Sequence, residues 1–127
     1  MLLLPVLLLC GPAGRSQSTL PKYADTIAKL KAANPEQRAQ MQTNLMKTKL
    51  SLTGEQYKQV AAINLLYARK IDPIFRSDAS RFSKYHQIKP MLEEKDEKLK
   101  AVFTPEQFKK YQDVKVEMMS AARKAMS

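Results

Sequence analysis

One short plan recurs three times along this chain and commits most of it to helices. Asn34-Pro35-Glu36-Gln37, Thr53-Gly54-Glu55-Gln56 and Thr104-Pro105-Glu106-Gln107 each open with a side chain able to cap a helix N-terminus. In each, Gln stands three residues on, where its amide can reach back to the cap's own N–H. Two of the three place Pro at the first helical position, where a missing N–H does no harm. The Glu at the second position puts negative charge where the helix dipole favours it. Asn34, Thr53 and Thr104, with Gln37, Gln56 and Gln107, are therefore read as structural caps rather than as contacts for a ligand.

The second and third starts also carry hydrophobic staples, Leu52 against Tyr57 and Phe103 against Phe108. Their segments run in parallel at an offset of 51: Tyr57, Val60, Tyr67 and Ala68 align with Phe108, Tyr111, Met118 and Met119, one apolar helix face in each copy. The sequence predicts helices at about 21–33, 35–50, 54–72, 74–101 and 105–125. Pro73 and Pro90 should begin, kink or interrupt the run between the motif helices. Of 3 glycines only Gly54 lies beyond the first 14 residues, too few for the turns of a β protein. The expected fold is all-α, a small hairpin or bundle of four to five helices.

Ahead of the helices, Met1–Leu9 is an uncharged apolar run followed by the small and polar residues from Gly11 to Ser18. That order reads as a signal peptide over 1–16, with a single helical domain over 17–127 and an exported, periplasmic product. The run is far short of the roughly 20 residues that span a bilayer. Cys10 is the only cysteine, so no disulfide forms within the chain. Ordinary cleavage is favoured over a lipoprotein anchored through Cys10, because Leu9 stands where lipid-modifying processing prefers a small side chain.

Removing 1–16 takes away Arg15 and no acid, so 22 basic residues become 21 against 12 acidic, net +9. An excess of that size favours acidic partners. Nucleic acid is not expected among them, since the chain has no Trp and no basic–aromatic interleaving that would stack bases. Catalysis is not expected either. One leader cysteine and one histidine, His86, offer no Cys–His pair and no metal set, and no glycine-rich phosphate loop occurs. No cofactor and no metal are predicted. His86, in Lys84-Tyr85-His86-Gln87, reads as an exposed helix residue, and Glu93-Glu94-Lys95-Asp96-Glu97-Lys98 as a solvated face with pairs such as Glu94–Lys98.

Leu52-Thr53-Gly54-Glu55-Gln56 and Phe103-Thr104-Pro105-Glu106-Gln107 resemble the twin LTxxQ motifs of the Spy/CpxP family of small periplasmic helical proteins. The likeness extends through Gln59-Val60-Ala61-Ala62-Ile63-Asn64 and Leu99-Lys100-Ala101-Val102, covering roughly residues 35–115. Family members form helical hairpins that dimerise into a cradle. The resemblance implies an ATP-independent, chaperone-like client-binding protein or an envelope-stress accessory protein, with homodimerisation open to it. It also leaves room for a regulatory partner of an envelope sensor protein, a metal-responsive relative, or a basic structural surface protein without clients.

Two surfaces are candidates for that binding. In helix 35–50, Met41 and Leu45 point one way while Ala39, Met46 and Leu50 point roughly the other, with Lys47 and Lys49 between. One stripe is surplus if the other packs in the core; the alternative is that neighbouring helices cover both. The first option makes Met46, Lys47, Lys49 and Leu50, with Arg69 and Lys70 nearby, a surface shared by unfolded or acidic polypeptides and by a second copy. On the next helix, Tyr57, Val60, Ala61, Ala68 and Ile71 should face the core and Leu66 should face away with Lys58, Gln59, Arg69 and Lys70. Residues 66–89 carry six Lys/Arg against Asp72 and Asp78, net +4, a composition that also suits weak contact with an anionic membrane surface.

Overall fold

The computed structural model describes residues 32–126, less the side chains of 121–123 and 125–126, and side-chain caps open the four helices that lie wholly within the described residues. The leader and, apart from Ala32 and Ala33, the expected helix over 21–33 lie outside the described residues. The helices are α1 (Pro35–Leu50), α2 (Gly54–Phe75), α3 (Arg81–Val102) and α4 (Pro105–Met126). Asn34 Oδ1 accepts from Gln37 N at 2.8 Å, and Gln37 Oε1 accepts from Asn34 N at 3.0 Å. Thr53 with Gln56 and Thr104 with Gln107 repeat that reciprocal arrangement at 3.0 and 3.1 Å.

The fourth cap is Ser80, whose hydroxyl accepts from Ser83 N at 3.1 Å. It starts α3 seven residues later than the proline pattern suggests. Pro73 does not end α2: the helix continues to Phe75 and closes with Arg76 N donating to Asp72 O and Ser77 N to Ile74 O. Pro90 sits inside α3 without ending it. The break is therefore the 76–80 turn rather than residues 72–74.

Successive helices alternate in direction, and α4 returns to pack on α1. The ends of α1 and α3 and the starts of α2 and α4 thus share one end of the bundle, here termed the motif end. The apolar core gathers there: Met46, Leu50, Val60, Leu99, Phe103, Tyr111 and Val114 are buried in one cluster. Tyr111 links two aromatic rings, Phe103 at 5.6 Å and Phe108 at 5.9 Å between centroids. On α2 the buried residues are Val60, Asn64, Tyr67 and Ala68, so the core stripe differs from the expected one. Tyr57, Ala61 and Ile71 are only half-buried.

Toward the opposite end the interior becomes polar. Asn64 is fully buried and its Nδ2 donates to Thr43 Oγ1 at 2.9 Å, tying α2 to α1. Arg38, also buried, donates to Asp72 of α2 and to Ala33 O, while its guanidinium lies 4.8 Å over the Phe75 ring. Arg76 donates to the same two acceptors, Asp72 and Ala33 O, at 2.9 Å each. Burial raises the Asp72 carboxyl's affinity for a proton, but the two guanidinium groups outweigh it and hold the pKa below the usual range.

Candidate functional site

The two motifs do more than start helices. Gln56 Nε2 donates to Gln107 Oε1 at 2.7 Å and Gln107 Nε2 donates to Gln56 Oε1 at 3.1 Å. Each amide also spends its other N–H on the carbonyl that ends the helix preceding the opposite motif: Gln56 on Val102 O at 3.1 Å, Gln107 on Leu50 O at 3.2 Å. Both oxygens still serve their own caps. Every donor and acceptor of both amides is therefore used, and four helix ends are joined through two side chains. At the α1–α2 corner Ser51 adopts a left-handed conformation with φ 55°. This clasp was not anticipated from the sequence. A capping box accepts Glu or Gln equally, so the signal was Gln rather than Glu at both positions: only an amide has the N–H groups to spend.

The surface assigned to Met46 and Leu50 is corrected by their burial. Met46 is 0 % and Leu50 2 % exposed, both inside the core cluster. The core lies between α1 and its neighbours α2 and α4, so the Ala39–Met46–Leu50 stripe is the covered one. Met41 and Leu45, on the other stripe, are half-buried, and Leu45 still packs against the core. Lys47 and Lys49 are exposed, with the Lys47 ammonium 5.0 Å over the Tyr57 ring. Arg69 and Lys70 are not brought to them. Arg69 pairs with Glu36 at the start of α1, 11 residues from Lys47, or roughly 16 Å along the helix axis.

What the structure does present is the outer face of α2. Leu66 is 43 % exposed there, among exposed Lys58, Gln59, Arg69 and Lys70. Arg69 Nε meets Glu36 at 2.9 Å and Lys70 Nζ meets Glu94 at 3.9 Å, so both cations reach to neighbouring helices. The Tyr67 hydroxyl donates to Glu94 at 2.6 Å, which holds that carboxyl below its usual pKa, and Lys70 adds to the effect. Burial and the same hydrogen bond push the Tyr67 phenol up to about 12. Glu94 is thus tied across to α2 rather than to Lys98 along its own helix; the i,i+4 pair on α3 is Lys89–Glu93.

Lys95, expected on a solvated face, is 4 % exposed; its ammonium donates to Gln42 Oε1 of α1 at 2.9 Å. Burial pulls its pKa down to about 8, against the opposing attraction of Asp96. Asp96 itself accepts from the Tyr111 hydroxyl and from Lys115, each at 2.7 Å, and so fastens α4 to α3. His86 is exposed, with its ring edge-on to Phe82. Among the described residues no group of three or more His, Cys, Asp or Glu side chains could hold a metal ion. No helix among them is long and apolar enough to cross a membrane.

Residues 24–111 match the family model DUF4890, described as a domain of unknown function. No curated protein and no solved structure matches the chain.

Proposed function

The chain belongs to the DUF4890 family, and we propose that it is an exported, Spy/CpxP-like binding protein that captures unfolded or acidic polypeptides without ATP. The observation that carries this reading is the outer face of α2, where Leu66 lies exposed among Lys58, Arg69 and Lys70. The counter-charges of Arg69 and Lys70 are held in open ion pairs. Solvent-exposed pairs of this kind add little to stability, so a client carboxylate can replace Glu36 or Glu94 at little cost. Long-range attraction then speeds encounter, while one leucine gives a contact weak enough to release. Two LTxxQ-type starts, joined through Gln56 and Gln107, support the family likeness.

The test is suppression of aggregation of an unfolding model client by the full chain, without nucleotide and across a salt series. Suppression should weaken as salt rises. Leu66→Ser and the pair Arg69→Glu with Lys70→Glu should each reduce it while leaving the helical circular dichroism unchanged. Inactivity at every salt concentration, or variants as active as the wild type, overturns the reading. The chain is then better taken as the regulatory partner of an envelope sensor.

A further inference from the structure

We propose that the α2–α3 end of the bundle docks on an anionic phospholipid surface, with Phe82 as the side chain that enters it. Phe82 is 71 % exposed, the most open of the large apolar side chains described, and Tyr85 one turn edge away is 38 % exposed. The His86 ring lies edge-on against Phe82, 4.5 Å between centroids, so the aromatic groups form one patch. Cations flank it. Of Arg76, Arg81, Lys84 and Lys89, Arg76 is paired with Asp72 and Lys89 with Glu93, whereas Arg81 and Lys84 have no carboxylate partner among the described residues. Arg81 is exposed beside Phe82, and Lys84 donates to Phe75 O, fixing its charge at the turn.

Charge and shape together select the partner. A ring with so little around it has no groove walls to clasp a peptide. It suits a plane, where the ring enters the acyl boundary, Tyr85 stays at headgroup level and the cations meet phosphates. Val116 shows the contrast: it is 66 % exposed but stands beside Lys115, bonded to Asp96, and Glu117, so its surroundings are of mixed sign. Ala33 O is held by Arg38 at 2.6 Å and by Arg76 at 2.9 Å, which ties the start of α1 to the 76–80 turn and gives the patch a fixed base. The proposal is independent of the α2 outer face, which uses other residues.

The chain has no Trp, which allows a reporter at the site. Full-length Phe82→Trp would be titrated with phosphatidylglycerol-containing vesicles, with neutral phosphatidylcholine vesicles, and with vesicles of brominated lipid. The expected result is a blue shift with the anionic vesicles, quenching by brominated chains, and little response to the neutral ones. Val116→Trp, equally exposed, should not respond. Adding Arg81→Glu to the Phe82→Trp chain should weaken partitioning by about tenfold to thirtyfold, since one cation is lost and one like charge gained near the surface. Vesicle binding with unshifted emission from position 82 would mean that residues outside this patch bind the lipid, and overturns the proposal. So does an equal response to neutral vesicles. A shift produced by polyglutamate but not by vesicles overturns it as well, and names an acidic polypeptide as the partner.

Discussion

Replacing Gln56 and Gln107 by Ala, singly and together, should show that the two motifs are energetically one unit. Each glutamine side chain makes four hydrogen bonds: one to its cap, two to the other glutamine and one to a helix-terminal carbonyl. A net value of roughly 0.5–1.5 kcal/mol per bond puts each single change at about 2–4 kcal/mol, softened where water reaches the half-buried partners. The two cross-bonds belong to both side chains, so the double variant loses six distinct bonds where the singles sum to eight. The double should therefore be less destabilised than the sum by about 2 kcal/mol. Urea denaturation of the four chains at one pH measures this, provided the m-values agree. Gln56→Glu sharpens the result, because a carboxylate keeps the cap acceptor but has no N–H for Gln107 or Val102. A capping box alone tolerates Glu; the clasp does not, and Gln56→Glu should be at least as damaging as Gln56→Ala. Additivity within about 0.5 kcal/mol, or a neutral Gln56→Glu, would refute the coupling.

Two further outcomes follow from burial. Met46→Ala should destabilise by about 2–5 kcal/mol as a cavity opens in the core, whereas Lys49→Ala should stay within about 0.5 kcal/mol; equal, small effects by chemical denaturation would put Met46 back on the surface. Lys95 has a folded pKa near 8 against an ordinary 10.5, so between those values the unfolded chain binds more protons and stability should rise with pH from about 8 toward 10. Above 10 the raised phenols of Tyr67 and Tyr111 act in the opposite sense, since the folded state then holds protons longer. Lys95→Met should remove the rise and be stabilising at pH 7, by up to about 3 kcal/mol on the size of the shift; a pH-stability profile that keeps its slope in this variant would assign the effect elsewhere.

What could be read in advance was local. Asn34, Thr53 and Thr104 announce themselves because a cap and its partner lie three residues apart, so the interaction is written within one turn of chain. The 76–80 turn was less legible. Proline at 73 is tolerated in the last turn of α2, and the stop signal is carried by Ser77 and the Ser80 cap, neither of which stands out beside a proline. The glutamine clasp spans 51 residues, and no rule of local spacing reaches that far.

The error at Met46 and Leu50 has a different origin. Two apolar stripes on one helix say that two surfaces are covered or one is free, but the sequence holds no information on the side from which α2 and α4 approach. Flanking lysines misled, because Lys47 can stand over the Tyr57 ring while its neighbour Met46 is fully enclosed. The same packing explains where the unclaimed apolar surface went. At the motif end the core is apolar, aromatic and shut by the clasp. At the other end cohesion rests on Arg38, Asp72 and Arg76, which bind one another, and on buried Asn64, which donates to Thr43; these groups leave fewer apolar walls to receive side chains from the turn. An aromatic residue placed there, as Phe82 is, finds no such wall and is left facing outward. The polar construction of that end and the exposure of its ring are then one consequence of where the hydrophobic residues were spent.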